Sequence, residues 1–96
     1  MSANIPHDSW LHVQLQNAEF AAEFLNAASE DEDPKTYLTA LRKVVEARGG
    51  MTAVAEKAAL SRETLYRTLS MRGNPTIKTL HAVLKATGLK LGVTAH

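Results

Sequence analysis

The segment LSRETLYRTLS, residues 60–70, decides how this chain is read. Ser61 is of the residue type that starts helices by accepting a backbone N–H, a cap worth ~1 kcal/mol. Beyond it, Leu65 and Leu69 share one face at i, i+4 spacing, which turns Arg62, Glu63, Tyr66 and Arg67 outward. A helix that needed only solubility would carry Lys and Glu there. Two guanidiniums, a carboxylate and a phenol have the chemistry of a surface that reads something.

Immediately upstream, MTAVAEKA (residues 51–58) has Val54, Ala55 and Ala58 at helical spacing. Two short helices joined by about three residues, with small residues at their crossing, describe a helix-turn-helix. Ala55 is small where the second helix crosses, Leu60 plugs the turn, and Leu65 and Leu69 pin the second helix to the core. The N-terminal part of such a second helix enters the major groove of DNA. There Arg pairs bidentately with guanine, Glu accepts from cytosine, and Tyr meets a phosphate or a thymine methyl. Arg62, Glu63, Tyr66 and Arg67 are therefore the candidate base-reading residues. The alternative at this point is a solvated face on an ordinary helical bundle.

Two helix starts nearby offer N–H groups suited to phosphate. One lies at Gly50, Met51 and Thr52, the other at Asn74 to Thr76, with Arg72 and Lys78 flanking the second. Together with Ser61, the candidate phosphate contacts are Met51, Thr52, Ser61, Arg72, Asn74, Thr76 and Lys78. Arg48 lies near the first start. It is read either as a further contact or as a residue that helps to end its own helix through the dipole.

Downstream, MRGNP (71–75) is a turn, and Thr76 caps a helix over IKTLHAVLKAT whose stripe is Ile77, Leu80, Val83 and Leu84. Gly88 closes it. The tail LKLGV alternates Leu89, Leu91 and Val93 and reads as a short strand. Upstream, Asp33 and Pro34 open a helix with Tyr37, Leu38, Leu41, Val44 and Val45 on one face, stopped by Gly49–Gly50. Before it, Asn17 caps AEFAAEFLNAAS, with Phe20, Phe24 and Leu25 along one side. A short helix over DSWLHVQLQ turns Trp10 and Leu11 inward, joined by Val13 or Leu15; residues 1–7 read as loose. The expected fold is all-α: a helix-turn-helix bundle of five to six helices with a short C-terminal β-strand. Residues 1–16 form an N-terminal arm and residues 17–96 one helical domain, with the motif at about 50–70.

The chain has 96 residues, 45% of them hydrophobic, no cysteine and a net charge of +1. That is one domain's worth of core, with no disulfide framework, thiol nucleophile or zinc-thiolate site. The net charge conceals a division. Residues 1–33 hold seven acids and no Lys or Arg, whereas residues 34–96 hold all eleven basic residues against three acids. The formal charges are −7 and +8. A basic segment of that size is what a polyanion-binding face needs, and the asymmetry points to two surfaces with two kinds of partner. The alternative is that the halves neutralise each other within the fold. No run of 18 apolar residues suggests a membrane span and the N-terminus has no signal-peptide pattern, so a cytoplasmic location is expected.

His7, His12, His81 and His96 lack metal-ligand spacing, and no serine has companion His and Asp residues in a known arrangement. GNP and RGG are too short to cradle a nucleotide. The acidic run Glu30 to Asp33 lacks the order of a calcium loop and reads as linker and cap. Catalytic, metal and cofactor sites are not expected, and the chain reads as a binding protein rather than an enzyme.

The stretch AVAEKAALSRETLYRTLSMRGNPTIKTLHAVLKATGLKL resembles the lambda-repressor-like (Xre/Cro) DNA-binding domains. Ala55, LSRETL, Arg67, NPT and TLHAVLKATGL carry the likeness. More closely, AAEFLNAA, then DP with YLTALRKVVEARGGM, then the segment above resemble in order the probable addiction-module antidote proteins, a HigA-like branch of bacterial antitoxins. The resemblance spans roughly residues 17–93. It implies a repressor that binds its own operator, controls its own operon and neutralises a small basic RelE/HigB-like toxin; because one such domain makes few base contacts, a homodimer on a palindromic operator is expected. A prophage-type regulator without a toxin, and a protein-binding module that has lost DNA contact, are the rival readings. The chain departs from the family pattern at Ala59, where many members have Gly. If that position needs a left-handed backbone, Ala costs on the order of 1 kcal/mol and the turn is expected to be slightly re-routed.

Overall fold

The computed structural model describes residues 7–93 and 95. The expectation of a loose N-terminal segment falls outside them except for His7, where the first helix begins. Six helices follow in order: α1 His7–Gln14, α2 Ala18–Ser29, α3 Pro34–Ala47, α4 Met51–Lys57, α5 Arg62–Thr68 and α6 Ile77–Ala86.

Four of these helices begin with a side chain that answers the unpaired N–H groups of the first turn. Asn17 accepts from the Phe20 N–H, Asp33 from Lys35, Ser61 from Thr64 and Thr76 from Thr79. Pro34 occupies the first turn of α3, where its missing donor costs nothing. All four caps are legible in the sequence.

The core is organised around α3. Its Leu41, Val44 and Val45 are fully buried, and they belong to one cluster with Leu15 below α1, Val54 of α4, Leu65 of α5 and Val83 and Leu84 of α6. α2 packs along α3 through Ala21 and Leu25, while α1 crosses it elsewhere. The expectations of burial for Leu38, Leu65 and Leu69 hold.

Other expectations need correcting. Trp10 is 47% exposed and rests edge-on against Phe20, with ring centroids 6.0 Å apart. Leu11 and Leu15, one turn apart, take the inward places, and Val13 faces solvent. Ile77 is 65% exposed: it shares the stripe of Leu80 and Leu84 but is the first residue of α6, at the end where the stripe is no longer covered. The C-terminal strand does not form. Among the described residues there is no strand, and residues 89–93 have irregular backbone. The alternation of Leu89 and Leu91 serves another purpose: both half-buried side chains pack on the chain's own core. They line a groove of about 510 Å³ with Leu25, Tyr37 and Leu84.

Candidate nucleic-acid interface

α4 and α5 are each seven residues long, too short to persist alone, so packing must hold them. Val54 and Ala55 secure α4, and Leu65 and Leu69 secure α5. The link between them is tight. The Leu60 N–H donates to the Ala55 carbonyl at 2.9 Å and the Ala59 N–H to Glu56 at 3.1 Å. This pair of bonds is the helix-ending arrangement that needs a left-handed residue. Ala59 supplies it with φ of 59°. The turn is therefore not re-routed around the missing glycine; the alanine accepts the unfavourable conformation.

With Leu65 and Leu69 inward, Arg62, Glu63 and Arg67 are exposed. Tyr66 departs from the expected pattern. It is half-buried, its ring flanked by Arg62 at 5.4 Å and by Arg42 of α3 at 5.2 Å. Arg62 Nη2 also donates to Tyr66 Oη at 3.3 Å. Arg42 in turn has its Nε 3.8 Å from Glu46 Oε2. The sequence alone did not reveal Arg42: its only local signal is the i, i+4 relation to Glu46, which is common on solvated helices.

The candidate phosphate contacts fall into two groups. Arg72, Asn74, Thr76 and Lys78 are all exposed around the start of α6, as is Thr52 in α4. The hydroxyls of Ser61 and Thr76 are occupied by their capping bonds, and each also meets the hydroxyl of the threonine three residues on. Met51 has a buried side chain, so only its backbone N–H is relevant; Gly50 gives that helix start no side-chain cap. Arg48 stands at the end of α3 as its C-cap, and its side chain turns to other helix ends. Its Nε donates to the Thr87 carbonyl at 2.7 Å, and its Nη1 to Gln16 at 2.6 Å and Leu15 at 3.4 Å. It joins distant helix ends.

The acids of the N-terminal third reach solvent, and Asp31 and Glu32 line a groove together with Asn74 and Pro75 at the start of α6. Glu19, Glu23, Glu30, Asp31, Glu32 and Asp33 are all exposed, along α2 and the link that follows it. No helix among the described residues is long and apolar enough to cross a membrane. No group of three or more His, Asp or Glu residues among them is placed to hold a metal ion.

Residues 10–95 match the family of probable addiction module antidote proteins, and the chain belongs to that family. It is similar to an uncharacterized protein of Haemophilus influenzae strain Rd, with 39% identity over 79 residues covering 82% of this chain and 80% of the relative. No solved structure matches the chain significantly.

Proposed function

We propose that the protein is the antitoxin of a toxin–antitoxin module and a DNA-binding repressor of its own operon, with α4 and α5 forming a lambda-repressor-like helix-turn-helix of the HigA type. The observation that carries this reading is the orientation of α5. Leu65 and Leu69 face the core, which leaves Arg62 and Glu63 on the outer face at the helix start and Arg67 exposed in the last turn. The helix start is the part of a recognition helix that reaches base edges. One such domain makes few base contacts, so the protein acts as a homodimer on a palindromic operator, doubling them. It works by binding, without catalysis or cofactor, in the cytoplasm.

Membership of the antidote family supports a toxin partner. The partner proposed is a small basic protein of the RelE/HigB kind, docking on the acidic surface of α2 and the following link by charge complementarity.

The test is a gel shift on the DNA upstream of the protein's own gene. Arg62→Ala and Arg67→Ala should each cost ~1–3 kcal/mol at the specific site, with helicity intact by circular dichroism. Loss of Arg72 or Lys78 should weaken all sequences alike and reduce the salt dependence. If both Arg variants bind as the wild type does, α5 is not the reader. A wild type that binds no DNA would leave the protein-binding alternative. A small basic reading frame beside the gene, whose product co-purifies with the chain, separates an antitoxin from a free-standing regulator.

A further inference from the structure

Tyr66 joins two arginines of different origin. Arg62 precedes it by one turn on α5, so their contact is a local property of that helix. Arg42 comes from α3 and reaches the ring only because the fold brings the two helices together. The guanidinium of Arg42 lies 5.2 Å from the ring centroid. Its Nε faces Glu46 at 3.8 Å, within α3. Arg42 is thus held at two points, by a carboxylate on its own helix and by the ring on another.

From this geometry we infer that Arg42 is a positioning residue for the reading surface, acting through Tyr66 to fix where Arg62 points. The inference rests on the DNA-binding reading of α5 and adds to it a residue from outside the helix pair. An arginine on a solvated helix surface samples many rotamers, and ordering it at a base edge costs part of the contact's free energy. A ring fixed between the core and Arg42 gives Arg62 a flat face to rest on and an oxygen to donate to. The side chain is then partly ordered before DNA arrives, which lowers the cost of binding. Glu46 beside Arg42 partly offsets its charge, and the path from Arg42 to Arg62 runs through the ring.

The test uses the full-length chain with and without its upstream DNA. Without DNA, NMR should show the side-chain protons of Arg62 shifted by the Tyr66 ring current. Arg42→Ala should reduce that shift, with the melting curve as a check on folding. With DNA, Arg42→Ala should lose about two- to fivefold in affinity for the specific site, the scale of an exposed cation–π contact. Non-specific affinity and the salt slope should be unchanged. In a Tyr66→Ala background the Arg42 substitution should have no further effect, as a double-mutant cycle requires of residues acting in series. Tyr66→Phe should retain most of the coupling. An Arg62 signal indifferent to Arg42→Ala overturns the inference, and so does equal weakening of all sequences with a shallower salt slope, which marks a direct phosphate contact. If the wild type binds no DNA, the DNA reading fails separately, and the DNA-free signal still decides whether Arg42 positions Arg62.

Discussion

Arg48 Nε donates to the carbonyl of Thr87 at 2.7 Å, across 39 residues of sequence. Arg48 is the C-cap of α3 and Thr87 the C-cap of α6, and the same guanidinium also reaches Gln16 and Leu15 just past α1. Three helices therefore end near one cation, which satisfies carbonyls at the negative poles of two of them, α1 and α6. Arg48→Ala should destabilise the fold by about 2–3 kcal/mol, since bonds to a charged donor are lost and the carbonyls are left to find water. Arg48→Lys should recover only part of this. A single ammonium cannot reproduce the planar fork that serves Thr87 and Gln16 together. Urea unfolding of the three proteins measures both effects, and an unaltered midpoint for Arg48→Ala would mean that the cluster holds nothing.

Ala59 gives the opposite expectation. It sits at φ 59° in the bonded turn between α4 and α5, where any side chain with a Cβ is disfavoured by about 1–2 kcal/mol. Ala59→Gly should stabilise the protein by about 1 kcal/mol, after allowing for glycine's freer unfolded chain. For a domain of this size that is a rise in Tm of about 4–8 °C. Ala59→Val should lower it, because a branched side chain tolerates this conformation least. A Tm that falls in the glycine variant would show that the turn is not strained at this residue.

These two residues mark where the sequence is legible and where it is not. Local chemistry reads directly: the caps at Asn17, Asp33, Ser61 and Thr76, and the burial of Leu65 and Leu69, follow from residue type and spacing. Position 59 was marked only by the family resemblance, in which many members have Gly; the left-handed backbone itself comes from the structure. Arg48 and Arg42 were not legible, because their partners lie on other helices and only the tertiary packing selects them. Ile77 and Trp10 were misplaced for a related reason. Periodicity assigns a stripe to a helix but does not say how far along it the neighbouring helices extend. Leu89 and Leu91 alternate as a strand does, yet with no strand among the described residues to pair with, they cover the nearest apolar groove.

Gly73 offers a test of the turn that carries Arg72 and Asn74. A Cβ built there would overlap the carbonyl oxygen of Thr68 and come within 3.0 Å of that of Ser70. Both are backbone atoms and cannot rotate aside. Gly73→Ala should therefore cost about 1–3 kcal/mol, the usual scale of overpacking, and shift the turn away from the end of α5. Gly92→Ala is the matched control, since nothing lies within 4 Å of its added carbon. Equal melting temperatures for the two variants would show that the close approach at Gly73 is not maintained in solution.

The tail and Tyr37 supply the last prediction. Tyr37 is half-buried in the groove that residues 88–93 help to line. Burial disfavours the phenolate and raises the Tyr37 pKa above the usual 10.0. Well below pH 10.0 the group is neutral in both folded and unfolded chains, and its contribution to stability is fully present. As pH rises from there through the folded value, the unfolded chain loses its proton first, so stability declines with pH. Ending the chain after Lys90 keeps the Leu89 N–H that closes α6 but removes Leu91 from the groove. Tyr37 should then titrate closer to its ordinary value, followed by NMR to separate it from Tyr66. If the tail folds back as the structure has it, sedimentation should show the same oligomeric state before and after this truncation. A dimer that dissociates on losing residues 91–96, with the Tyr37 titration unmoved, would mean that the tail instead serves a second copy of the chain.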